Sequence, residues 1–179
     1  GVDQVALTGA ALTDGLEVSL GGETLDQAVK AGLPEFGEVV DGRFVEGLGN
    51  VTLDVNVDQL QGLTDADARA LAGDGIDQVT LEAADQTAFD ALFGDQALAG
   101  ELGSLQGAGL KTALDVGHGG SVNLTDAEAQ TLIQDGLHFV SQDTVTLDAS
   151  ATHLKTSLAE LQKLGVDQVA LTGAALTDG

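Results

Sequence analysis

The chain has no cysteine, methionine, tryptophan or tyrosine, a single proline (Pro34), and only five phenylalanines among its 179 residues. Without cysteine there are no disulfides and no thiolate metal sites. Without tryptophan or tyrosine, a typical stacking platform for sugars is missing, and any core must be built from Val, Leu and Ala. Basic residues are scarce as well: six Lys and Arg stand against 29 Asp and Glu, for a net charge of −23. A surface of that sign repels nucleic acid and anionic membranes. No apolar run reaches the roughly 18–20 residues needed to span a bilayer. The hydrophobic fraction is nevertheless 43%, too high for a disordered acidic tail and sufficient for a buried core.

What the chain does have is repetition. Residues 1–15, GVDQVALTGAALTDG, return unchanged as residues 165–179, an offset of 164. Identity over fifteen positions points to a longer array with a 164-residue period. On this reading residues 1–164 are one full period and residues 165–179 open the next. A second, weaker repeat lies inside the period. Leu53-Asp54-Val55 recurs as Leu114-Asp115-Val116, Leu63-Thr64-Asp65-Ala66 as Leu124-Thr125-Asp126-Ala127, and Asp74-Gly75 as Asp135-Gly136, all at an offset of 61. Val79-Thr80-Leu81 recurs as Val145-Thr146-Leu147 at an offset of 66.

The internal unit reads as strand, loop, helix, strand. Thr125 and Glu128 have capping-box spacing, Ala129, Leu132 and Ile133 fall on one helical face, and Gly136 suits the left-handed residue that closes a helix. The earlier copy runs from Thr64 and Asp67 through Ala68, Leu71 and Ala72 to Gly73 or Gly75. A third helix is expected over His153–Leu164, with a stripe of Leu154, Leu158, Leu161 and Leu164. Shorter helices are expected near Thr24–Ala31 and Thr87–Ala99. Strands are expected at Val5–Thr8, Leu16–Leu20, Val51–Val55, Val79–Ala83, Thr112–Val116, Val145–Ala149 and Val169–Thr172. A hairpin is expected around Asp41-Gly42, and Gly32–Asn50 reads as an insertion or corner.

From Val51 onward the strands start at Val51, Val79, Thr112, Val145 and Val169, at offsets of 28, 33, 33 and 24. Such gaps suit βα units with parallel strands. Val79-Thr80-Leu81-Glu82 and Val145-Thr146-Leu147-Asp148 alternate apolar and polar, so one sheet face should be wet and the other covered by helices. The fold expected is therefore α/β, with repeated βα units forming a two-layer, solenoid-like repeat on a largely parallel sheet.

Two patterns carry candidate chemistry. Asp54, Glu82, Asp115 and Asp148 occupy equivalent places near strand ends. Side by side in a parallel sheet, about 4.8 Å apart, such charges either splay into local turn or cap bonds or share a calcium ion. The other pattern is Gly-x-Asp-x-Val after helices, at Gly1, Gly75 and Gly165. With Ala72-Gly73-Asp74 in front, the middle copy resembles one calcium-binding nonapeptide, G-G-x-G-x-D-x-U-x, of the secreted RTX β-roll family, with Ala72 in place of the first glycine. That resemblance covers about nine residues and implies calcium near Asp74 and Asp77. The family stacks such nonapeptides in immediate tandem, and here the copies are tens of residues apart. The alternative is a helix-closing glycine, an aliphatic residue and a strand. Asp115, His118 and Ser121 lie close enough in sequence to be considered for hydrolysis. No phosphate loop or basic-aromatic stripe is present.

The exact long repeat, aliphatic core, acidity and missing cysteine together resemble tandem repeats of giant secreted bacterial surface proteins, adhesins and matrix fibres. The resemblance implies an extracellular or cell-surface location, a non-enzymatic role in spanning distance or building filaments, and neighbouring copies of the repeat as partners, with calcium as the ion. The rival readings are an independently folded glycan- or calcium-binding module of an adhesin and, third, a hydrolase around His118.

Overall fold

The computed structural model describes residues 4–7, 15–20, 22–41, 43–46, 50–92, 96–150 and 156–172. The elements are β1 (Gln4–Ala6), β2 (Leu16–Ser19), α1 (Leu25–Ala31), β3 (Glu35–Val40), β4 (Arg43–Glu46), β5 (Val51–Asn56), α2 (Val57–Leu60), α3 (Asp65–Gly73), β6 (Gln78–Ala83), α4 (Gln86–Leu92), α5 (Gln96–Gly107), β7 (Lys111–Val116), β8 (Ser121–Thr125), α6 (Asp126–Gln134), β9 (His138–Phe139), β10 (Thr144–Ser150), α7 (Leu158–Leu164) and β11 (Gln168–Thr172). They divide between two units, Gly1–Glu82 with Gly94–Ala113, and Ala83–Phe93 with Leu114–Gly179, with boundaries inside both β6 and β7.

In the first unit β2, β5 and β6 run parallel, with Val18 beside Leu53 and Leu53 beside Val79. β1 pairs parallel with β3, and β3 turns back antiparallel onto β4. That hairpin occupies the stretch read as an insertion or corner, and its turn residue Asp41 has a positive φ of 51°. In the second unit β8, β10 and β11 form an all-parallel sheet with β10 in the middle. The protein is thus α/β with largely parallel sheets.

Local sequence explains the helix boundaries. Thr64, Thr125 and Ser157 each cap a helix and accept from the backbone three residues on, while Asp67, Glu128 and Glu160 reach back to the cap amide. Each box satisfies two donors that the first turn leaves orphaned. The helix ends are equally regular. Gly75, Gly109, Gly136 and Gly165 all have positive φ, between 67° and 95°. In each case the next residue donates back to a buried leucine: Ile76 to Leu71, Leu110 to Leu105, Leu137 to Leu132 and Val166 to Leu161, at 2.9–3.1 Å. This is the Schellman closure, and its consensus, Leu-x-x-x-Gly-aliphatic, drives the chain from helix into strand four times. The four leucines are at most 3% exposed, each burial contributing about 1.5–3 kcal/mol.

Several expectations change. The stretch expected as one helix over Thr87–Ala99 holds two, α4 and α5, with residues 93–95 outside the described set. Ser121–Thr125 is a strand, alternately exposed and buried; the preceding Gly119-Gly120 made it read as loop. The start of the His153–Leu164 helix lies outside the described residues, as do Thr8, Gly42 and residues 173–179. Within α7, Leu161 and Leu164 are buried, but Leu158 is 71% exposed, because it is the first residue after the cap and precedes the packed turn. The wet face holds for β5, β8 and β10. In β6 and β7, however, Thr80 and Thr112 are buried, and their hydroxyls accept from the side-chain amides of Gln78 and Gln106, both at 3.3 Å.

Candidate functional site

The strand register decides which acidic residues meet. Asp54 is half-buried in β5 and stands between Ser19 of β2 and Thr80 of β6, while Glu82 is beside Asn56. Asp148 is exposed in β10, between Thr125 and Ala170. The expected row of facing carboxylates is therefore not formed across these strands, because the ladders run with Asp54 and Glu82 two residues out of step. An uncharged neighbour beside each acid avoids the repulsion of like charges placed opposite. Among the described residues no group of three or more Asp, Glu or His side chains gathers into a cluster able to hold a metal.

Two of the three Gly-x-Asp-x-Val aspartates, Asp77 and Asp167, have a defined role; Asp3 lies outside the described residues. Asp77 precedes β6, and its carboxylate accepts the amide of Val51, the first residue of β5, at 2.9 Å. The Asp77 amide returns to the Val51 carbonyl at 2.9 Å. Asp167 repeats this with Val145, accepting from its amide at 2.8 Å and donating to its carbonyl at 2.9 Å. Asp143, in Asp143-Thr144-Val145, accepts the amide of Val116 at 2.9 Å. In the first two sites a residue at the start of a parallel strand would have no ladder partner for its N–H, and the incoming aspartate supplies one through a charge-assisted bond. Asp74 sits at the end of α3, its amide bonded to Ala70 and its carbonyl accepting from Phe36 at 2.7 Å. Sequence reading singled out the motif but not this clamp, because Val51 lies 26 residues from Asp77.

In the second unit the loop after β7 is held by two carboxylates. Asp115 accepts the amide of His118 at 2.9 Å and faces the imidazole Nδ1 at 3.3 Å. His118 itself has a positive φ of 51°, a backbone state that costs a non-glycine residue about 1–2 kcal/mol. Asp143 is buried beneath the loop and also accepts from Gly119 at 3.2 Å. Burial raises the Asp143 carboxyl above its ordinary value; the Val116 amide opposes this, the Asp115 charge adds to it, and Gly119 and His118 oppose it. The imidazole is 76% exposed, and Ser121 contributes its backbone to the β8–β10 ladder. The structure thus joins Asp115 to His118 and brings Asp143 alongside. Sequence reading missed Asp143, which is separated from Asp115 along the chain by β8, α6 and β9 and shares no local motif with it.

A cleft of about 380 Å³ lies between α6 and α7, lined by Ile133, Gly136, His138, Glu160, Lys163 and Leu164 among others. Its carboxylate is already engaged, since Glu160 accepts from the Ser157 amide at 3.0 Å and hydroxyl at 2.6 Å. The Ser157 hydroxyl, then its amide, hold Glu160 below its ordinary value. Compared with known protein families, characterised proteins and solved structures, the chain matches none of them.

Proposed function

We propose that the chain is one period of a structural or adhesive array, a non-enzymatic spacer or fibre unit at the cell surface or outside the cell. The observation that carries this reading is the recurrence of a single joint: Leu-x-x-x-Gly-aliphatic closes a helix and starts a strand at Gly75, Gly109, Gly136 and Gly165. Repeated joints of one kind are what stacked, solenoid-like units need, because each copy then passes from helix to strand in the same way. The fifteen residues common to positions 1 and 165 extend the same logic from within the period to the next one. Length, stiffness and charge are the working properties of such a unit.

Calcium enters this reading as a counter-ion for a chain of net charge −23. The candidate oxygens are those of Asp54, Glu82, Asp115, Asp148, Asp74 and Asp77, of which Asp148 is the exposed one. Small-angle scattering of chains with one, two and three periods, in calcium-containing buffer, tests the proposal. A maximum dimension that grows linearly with period number supports the spacer. Compact globules joined loosely would sink it in favour of an independent binding module. Calcium is tested separately: a melting temperature that rises with calcium and returns on chelation supports binding to the folded state, and an unchanged value removes calcium from the proposal.

A further inference from the structure

The sequence GVDQVALT occurs twice, and the strands within its two copies, β1 and β11, use opposite edges. In the second unit Thr144 donates to Gly120 at 2.8 Å, so the even residues of β10 turn their N–H and C=O toward β8. The odd residues, led by Val145, turn toward β11, and Val145 is paired with the incoming Asp167 through both its amide and its carbonyl. In a parallel ladder the residue beside one that faces inward faces outward. Leu147 is beside Val169 and Ala149 beside Leu171, so the backbone groups of Val169 and Leu171 point away from β10, toward an edge that no strand among the described residues occupies. In the first unit the equivalent of Leu171 is Leu7, and its amide donates to Gly37 of β3 at 2.6 Å. The edge that β1 gives to β3 is therefore the edge that β11 leaves open.

Side-chain burial agrees. Leu7 is 3% exposed, whereas Leu171, the same residue in the same sequence, is 53% exposed and Val169 is 39% exposed. On the buried face Val169 stands beside Leu147, and its equivalent Val5 stands beside Phe36. A strand placed between β10 and β3 would continue one apolar face across both.

We propose that the open edge of β11 is a docking strand for β3 of a second copy of this chain, in the register Gln168 beside Glu35, Val169 beside Phe36 and Ala170 beside Gly37. The incoming strand replaces the β1 of that copy, and the joined sheet runs β8, β10, β11, β3, β4. Within an array the covalent strand at each junction makes the same two-sided contact. This rests on reading the chain as one period of an array.

Two measurements on the full chain test it. Val5→Pro removes a β1 amide that faces β3 and loosens β1 from that edge. Sedimentation should then show concentration-dependent oligomers associating at least tenfold more tightly than the wild type. Adding Leu171→Pro should return the chain to the wild-type state, since that amide points outward and proline is tolerated where an edge N–H faces solvent. A monomeric Val5→Pro chain that keeps its circular dichroism, or a double variant that still associates, overturns the proposal. If Val5→Pro unfolds, the second measurement decides. Chains carrying only Glu35→Cys and chains carrying only Gln168→Cys are mixed under oxidising conditions. The protein has no other cysteine, and in the β1–β3 pair Gln4 and Glu35 side chains meet at 2.9 Å. Disulfide dimers containing one of each, in clear excess over the statistical share that random oxidation gives, support the docking; mixed dimers at or below that share overturn it. The array reading fails separately: flexible beads in multi-period scattering with mixed dimers present would leave the docking standing, and a rod without mixed dimers would do the reverse.

Discussion

The Asp77 carboxylate accepts the Val51 amide at 2.9 Å, and the Asp77 amide donates to the Val51 carbonyl at the same distance. The pair fastens the start of β6 to the start of β5. Asp77→Ala leaves a buried residue's amide without its acceptor, and loss of a hydrogen bond to a charged group costs about 1–3 kcal/mol. Urea unfolding should show that loss in midpoint, with Asp77→Asn recovering more than half because its side-chain oxygen still accepts. If alanine is neutral, the clamp is not a stabilising device and the aspartate is free to serve calcium.

Matched caps should behave alike. Thr64 and Thr125 hold the same place in the two copies of the internal repeat, each closing a capping box with the acid three residues on. Thr64→Ala and Thr125→Ala should each lower stability by about 1 kcal/mol. Thermal or urea melts of the two variants provide the comparison, and a cost confined to one of them would show that the two helices do not contribute equally to the cooperative unit.

Two helix-ending glycines differ in what surrounds them. At Gly109 a methyl group would meet nothing within 4 Å, whereas at Gly165 it would lie 3.3 Å from the Phe139 Cβ; both have positive φ, 88° and 95°. Gly109→Ala should therefore cost only the backbone strain, about 1–2 kcal/mol. Gly165→Ala should cost more, because Phe139 is buried and must shift in a close-packed site. Melting temperatures of the two variants should rank in that order, and a reversed order would contradict the packing described around Phe139.

Falling and rising pH should act on different carboxylates. Burial, aided by the Asp115 charge, raises the Asp143 value. Its contribution to stability is present at low pH and is lost as pH rises from about 4, the ordinary carboxylate range, through its folded value. The Thr64 hydroxyl and then the Thr64 amide lower Asp67, and Ser157 does the same for Glu160. Their contributions are present at neutral pH and are lost as pH falls below about 4 through the folded values. As pH rises above about 4 the urea midpoint of the wild type should fall more steeply than that of Asp143→Asn. Equal slopes would assign the pH dependence to the general acidic charge instead.

Much of the fold is legible in the sequence because its signals are local. A threonine and an acid three residues apart define where α3 and α6 begin, and a glycine three residues before β6 and again before β11 defines where the preceding helices have ended. These interactions close within about six residues, so no distant partner is needed to form them. Alternating Val, Thr and Leu likewise marks β6 and β10. The strand β8 was not legible, since it has no local start signal of that strength. Tertiary structure alone decided which strand lies beside which. A parallel partner arrives after a long crossover, and its register is set by packing of the whole layer. That register places Thr80 rather than Glu82 beside Asp54, sends the Asp77 carboxylate to Val51, and buries Leu7 while leaving the identical Leu171 in water.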